Sequence, residues 1–129
     1  MSVSDYLTGV LRKIRESSVV KRLSVRRMEA SSERGFVRVV ALLIDDSELH
    51  VFEYVDSGLN RIGYAYHLQD QAGNLVFRYD DEPHYPELPT FPHHKHVSSG
   101  VSEASEEVDI DEVLVEAATH VADARKKAG

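Results

Sequence analysis

Cysteine is absent from this sequence of 129 residues. That excludes a disulfide framework, a thiolate nucleophile and a cysteine-ligated zinc, so a bound metal would have to rely on histidine and carboxylates. Long apolar runs are missing too. None approaches the ~18 residues of a membrane-spanning helix, and Met1 opens directly into a polar, helix-starting segment instead of a signal peptide. The expectation is a soluble, cytoplasmic protein with no membrane contact. With 42% hydrophobic residues, the chain suits one domain, residues 1–129, and is too short for two comfortable ones. Proline is scarce, and all of it lies in one place.

The four prolines, at 83, 86, 89 and 92, fall inside "EPHYPELPTFPHHKH", residues 82–96, at every third position. That is the period of a polyproline II helix. The intervening residues form two columns, His84, Glu87, Thr90 and His93 in one, Tyr85, Leu88, Phe91 and His94 in the other. Such a strip can pack through its apolar column and display histidines along its edge.

Charge is divided unevenly. Residues 1–40 carry nine Lys/Arg against four acids, a net of +5, and the rest carry six against eighteen, a net of −12, which together give the formal −7. A basic third on an acidic chain is a candidate nucleic-acid footprint, although charge runs more often remain solvated or pair within the fold.

The periodicity predicts an α+β fold. In residues 1–17, Val3, Tyr6, Leu7, Val10, Leu11 and Ile14 recur at helical spacing, with Ser4 as the expected cap. In residues 109–127, Ile110, Val113, Leu114, Ala117, Ala118 and Val121 do the same behind a capping Asp109 with Glu112 three residues on. Between them, residues 19–80 read as a five-stranded antiparallel meander. "VKRLSVRR" is its edge strand, and "GFVRVVALLI" is apolar enough for a strand covered on both faces. The proline strip would pack on this sheet, and 97–108 is an acidic linker. An exposed edge strand also leaves a homodimer open.

"DQAGN", residues 70–74, has the pattern of a type I turn followed by a bulge with glycine in the left-handed conformation. Counting back from it sets Tyr66 opposite Arg78 and His67 opposite Phe77, so that Tyr64, Tyr66, Arg78 and Asp80 share a face. A slip of one residue would invert this. The strip folding back would bring His84, His93, His94, Lys95 and His96 to that face. Metal-independent RNA cleavage needs a base for the 2′-hydroxyl, an acid for the leaving oxygen and cations for the phosphate. His67, His93, His94 and His96 fit the acid–base work. Arg78 and Lys95 fit the phosphate, Tyr64 or Tyr66 a base stack, His84 a place along the edge, and Arg22, Arg26 and Arg27 an extension of the RNA footprint. No cofactor is called for, and the histidine spacing matches no strong zinc signature. Two other readings stay open: a protein-binding module without catalysis, and a histidine-based metal site.

The stretch from Tyr64 to His96 carries a resemblance. Its "YxYH", "G-x-L-x-F-R-Y-D", "PHxPE" and "FPHHKH" segments, about a quarter of the chain, together resemble the TumE family, toxins of type II toxin–antitoxin pairs. "DIDEVL" after the acidic stretch is similar to the family's ending. Tyr85 stands where relatives often carry histidine, which removes a metal role from that position. The resemblance implies a prokaryotic toxin with a cognate antitoxin as partner, and RNA or translation as its target by analogy with the wider class.

Overall fold

The computed structural model describes residues 1–81, 93–98, 102–105 and 107–128. The chain runs α1 (Val3–Glu16), β1 (Val20–Ala30), β2 (Arg34–Leu43), β3 (Glu48–Asp56), β4 (Arg61–Gln69), β5 (Leu75–Asp80), β6 (His94–Val97), β7 (Ser102–Ala104) and α2 (Ile110–Ala128). Every strand is hydrogen-bonded to its neighbour in sequence, antiparallel throughout. The α+β meander with a helix before and after it is therefore as expected. It extends past the five long strands through the short β6 and β7. The second of these lies in the stretch expected to be a linker: β6 brings a fresh edge of unpaired N–H and C=O groups, and residues 102–104 pair with it. Most of the proline strip, His84 included, lies outside the described residues.

Ser2 caps α1, not Ser4. Its Oγ accepts from Asp5 N at 3.0 Å while the Asp5 carboxylate accepts from Ser2 N at 2.9 Å. Two N–H groups that the helix cannot satisfy are thus met reciprocally. Val3, Leu7, Val10, Leu11 and Ile14 are buried, each large aliphatic side chain stabilising the fold by about 1.5–3 kcal/mol. Asp109 caps α2 as expected, accepting from Glu112 N at 2.9 Å.

Both helices lie on one face of the sheet, α1 across β1, β2 and β3, and α2 against β4 and α1. The strands therefore alternate. Val37, Val39, Ala41 and Leu43 of β2 and Leu49, Val51 and Val55 of β3 are buried beneath the helices, while Phe36, Val40, His50, Phe52 and Tyr54 are only partly covered. The apolar run of β2 had suggested cover on both faces. One side is open, because no element among the described residues crosses it.

The hairpin β4–β5 decides which side chains share that open side. Its turn is as expected: Gly73 has φ +87°, Asp70 N donates to Asn74 O at 2.9 Å, and the Asp70 carboxylate takes N–H groups from Ala72 and Asn74. A second irregularity follows. Gln69 faces Leu75 and Leu68 faces Phe77, so Val76 is an unpaired extra residue. The register slips by one, and the expected pairing is overturned: Tyr66 faces Tyr79, and His67 faces Arg78.

Candidate functional site

With that register the open face carries a transverse row, His50 on β3, His67 on β4, Arg78 on β5 and His96 on β6, each opposite the next. Neighbouring strands lie about 4.8 Å apart, so the row crosses three such spacings. The His50 and His67 rings meet edge-on with centroids 5.7 Å apart. Each is held by the residue two places along its own strand: His50 Nε2 donates to Glu48 at 3.1 Å and His67 Nε2 to Gln69 Oε1 at 3.0 Å. Asp80, only 2% exposed, steadies the other end. It accepts from Arg78 Nε at 2.9 Å and lies 3.6 Å from His96 Nε2. A guanidinium bonded through Nε keeps its Nη groups as further donors.

His67 stands apart electrically. Burial lowers its pKa from the ordinary 6.5, Arg78, His50 and His96 lower it further, and only the bond to Gln69 works the other way. The ring is neutral at pH 7. With Nε2–H given to Gln69, Nδ1 holds a lone pair, and that buried atom has no hydrogen-bond partner among the described residues. Beside it lies a depression of about 390 Å³ lined by Arg26, Arg38, His50, Phe52, Ala65, His67, Gln69 and Arg78. Its floor is low because β4 presents only Ala65 at that point.

The arginines of β1 border this face. Arg27 lies opposite Arg38 and Arg22 opposite Leu42 in the register, and all three β1 arginines are exposed. Among the described residues Arg22, Arg26 and Arg38 form no ion pair.

Other expected site residues sit under the helices. Tyr64 and Tyr66 are 2% and 0% exposed, so neither ring is placed to meet a base. The Tyr66 hydroxyl donates to Glu53 at 2.8 Å and accepts from Arg61 Nη1 at 2.6 Å. Tyr6 of α1 donates to the same carboxylate at 2.6 Å, and Arg61 reaches Glu107 at 3.3 Å. Burial raises the pKa of Tyr6, Tyr64 and Tyr66, with the Glu53 carboxylate adding to it for Tyr6 and Tyr66, so these phenols keep their protons. His93 stacks on Tyr64, with Nδ1 2.9 Å from its hydroxyl. Lys95 donates to Glu116 of α2 at 3.2 Å and lies over the Tyr79 ring. The expected cluster of tyrosines, Arg78, Lys95 and histidines is thus divided between two faces. Arg78, His67 and His96 come together on the open one, and His94 occupies the register position opposite Asp80.

His50, Arg38, Phe52 and the supporting Gln69 were missed as a group, whereas Asp80 had been set on the face of Arg78, to which it is bonded. The alternation in "ELHVFEYV" places His50, Phe52 and Tyr54 on one face and was the available signal. Among the described residues no three His, Asp or Glu side chains converge as ligands of a metal would. No described helix is long and apolar enough to cross a membrane.

No curated protein and no solved structure matches the chain. A family model does, the one described as Toxin TumE, over residues 10–125. That match spans β1 to β7, the second half of α1 and most of α2, and the chain belongs to the TumE toxin family.

Proposed function

We propose that this toxin acts in the cytoplasm on RNA, as a metal-independent ribonuclease whose site is the open face of the sheet, and that a cognate antitoxin restrains it. The observation that carries this reading is the row His67–Arg78–His96, a cation between two imidazoles on three adjacent strands. A phosphate over Arg78 is flanked on both sides. His67, kept neutral, takes the 2′-proton at Nδ1, the nitrogen that holds the lone pair, while its Nε2–H stays on Gln69. His96, as an imidazolium beside Asp80, gives a proton to the leaving oxygen. Arg78 balances the charge that grows on the phosphoryl oxygens. His94 stands next to this row, whereas His93 and Lys95 serve contacts on the helix side. The exposed arginines of β1 extend the RNA footprint or receive an acidic antitoxin segment, and competition between these uses gives inhibition a physical basis.

The test is incubation of the partner-free protein with labelled cellular RNA in EDTA, comparing wild type with Arg78→Ala, His67→Ala and His96→Ala, each verified as folded by circular dichroism. Cleavage that persists in EDTA and is lost in all three variants supports the assignment. Cleavage that requires added zinc, or that survives Arg78→Ala, sinks it.

A further inference from the structure

A second row of side chains lies beside the histidines on the open face. Phe36 faces Tyr54 across β2–β3, and Arg38 faces Phe52. The Phe36 ring centroid is 6.3 Å from that of Phe52 and 6.5 Å from that of Tyr54. Each ring has its own arginine. The Arg38 guanidinium carbon lies 4.3 Å from the Phe52 centroid, that of Arg27 lies 5.4 Å from Phe36, and Arg34 Nη1 donates to the Tyr54 hydroxyl at 3.4 Å. Among the described residues no helix packs over these rings, because both helices are on the other side of the sheet.

The neighbouring strand leaves room next to them. Gly63 lies opposite Tyr54 and Ala65 opposite Phe52. A Cβ added at Gly63 would come within 3.6 Å of Tyr54 Cβ and 3.7 Å of Phe52 Cε2, so this small residue keeps the floor beside the rings low. Phe52 lines the depression that holds His67 and Arg78, Phe36 and Tyr54 line a second one further along β2 and β3, and the contact between Phe36 and Phe52 joins the two. Aromatic rings interleaved with arginines along a groove suit a strand whose bases are free to stack and whose phosphates are exposed. A duplex fits poorly, because its bases are stacked on one another and its A-form major groove admits no side chains.

We infer that Phe36, Phe52 and Tyr54 form a base-stacking platform that selects single-stranded RNA and delivers its backbone to Arg78. This rests on the reading of the open face as an RNA site and adds its substrate class. The bases lie on β2 and β3, the scissile phosphate on β5, and the arginines between the rings carry the intervening backbone.

The experiment measures binding by fluorescence anisotropy with a labelled, 2′-O-methylated oligouridylate, which lacks the nucleophile for cleavage. The comparison strands are one with abasic positions, which keeps the phosphates, and a fully paired hairpin of equal length. Wild type is expected to bind the base-bearing strand more tightly than either. Phe52→Leu and Phe36→Leu each weaken that binding about 5- to 100-fold while the dependence on salt, set by phosphate contacts, is unchanged. Equal affinity of wild type for the base-bearing and abasic strands overturns the platform, and this arm needs no variant to fold. Unchanged binding in both leucine variants overturns it as well. The two readings separate cleanly. Ring-dependent binding without cleavage of unmodified RNA keeps the platform and removes the ribonuclease, cleavage with ring-independent binding does the reverse, and a folded wild type that binds no RNA removes both.

Discussion

The two faces of this sheet are cut from the same strands, and in β4 from alternate residues of one short run. Tyr64, Tyr66 and Leu68 go under the helices, and Ala65, His67 and Gln69 go to the open side. Both faces gather arginine, carboxylate and ring side chains, yet they treat them differently. Beneath the helices Glu53, 1% exposed, is met by two tyrosine hydroxyls, and Arg61 spans Tyr66 and Glu107. Across the sheet an imidazole nitrogen is left without a partner and several guanidinium groups without an ion pair among the described residues. An unmatched polar group costs stability. Where one face matches its polar groups and the other does not, the unmatched face is the better place to seek function.

Substitutions can break that comparison from either side. The largest effect is expected on the open face. His67→Phe keeps the ring and removes both nitrogens, so RNA cleavage should fall at least about 100-fold while the thermal midpoint holds or rises, since an orphaned buried atom is gone. A drop in stability comparable to the loss in rate would mean that His67 belongs to the core. Next is Glu53→Ala beneath the helices. It strands two hydroxyl donors and removes the counter-charge facing Arg61, and chemical denaturation should register a loss on the order of 3–5 kcal/mol. Tyr66→Phe removes only the bridge between Arg61 and Glu53, for about 1–3 kcal/mol, and RNA binding by the folded variant should equal that of wild type.

The smallest effect is a dependence on pH. The folded-state pKa of His67 lies below its unfolded value of 6.5, so below that pH the unfolded chain binds a proton that the native chain resists. Stability should therefore decline as pH falls from about 6.5 towards the folded pKa and level off beneath it. His67→Phe should flatten that part of the profile, as measured by urea titrations at successive pH values. A slope that survives the substitution points to another group.

Much of the architecture was legible because period and burial coincide. The helical spacing of Val3 to Ile14 and of Ile110 to Val121 has one solution once a sheet lies between them. The capping of α1 moved from Ser4 to Ser2 because only Ser2 stands three residues before a carboxylate that can return the bond. The candidate site was legible in the residues His67, Arg78 and His96 that the structure sets side by side, and not in its partition between the faces. Turn chemistry at Asp70 and Gly73 is local and could be read, whereas the extra Val76 has no residue-type signature. It is fixed by what the two faces must bury, Phe77 and Tyr79 on one side and Arg78 with its Asp80 on the other. His50 reads as isolated in the sequence, with no role, for a related reason. On its own strand it is one polar residue among apolar ones, and only the pairing of β3 with β4 sets it against His67.

That single unpaired residue has a consequence for how the family can change. Upstream of Val76 the hairpin turns on Asp70 and Asn74, and downstream every side chain is assigned to one side of the sheet or the other. Adding or deleting one residue there acts on the folded chain as a frameshift acts on a message. It rewrites all that follows, sending Arg78 into the packed interior and Phe77 out to solvent. The loop at 70–74 can vary in sequence and length, but within the strand, between Leu75 and Arg78, a change of one residue exchanges the two faces.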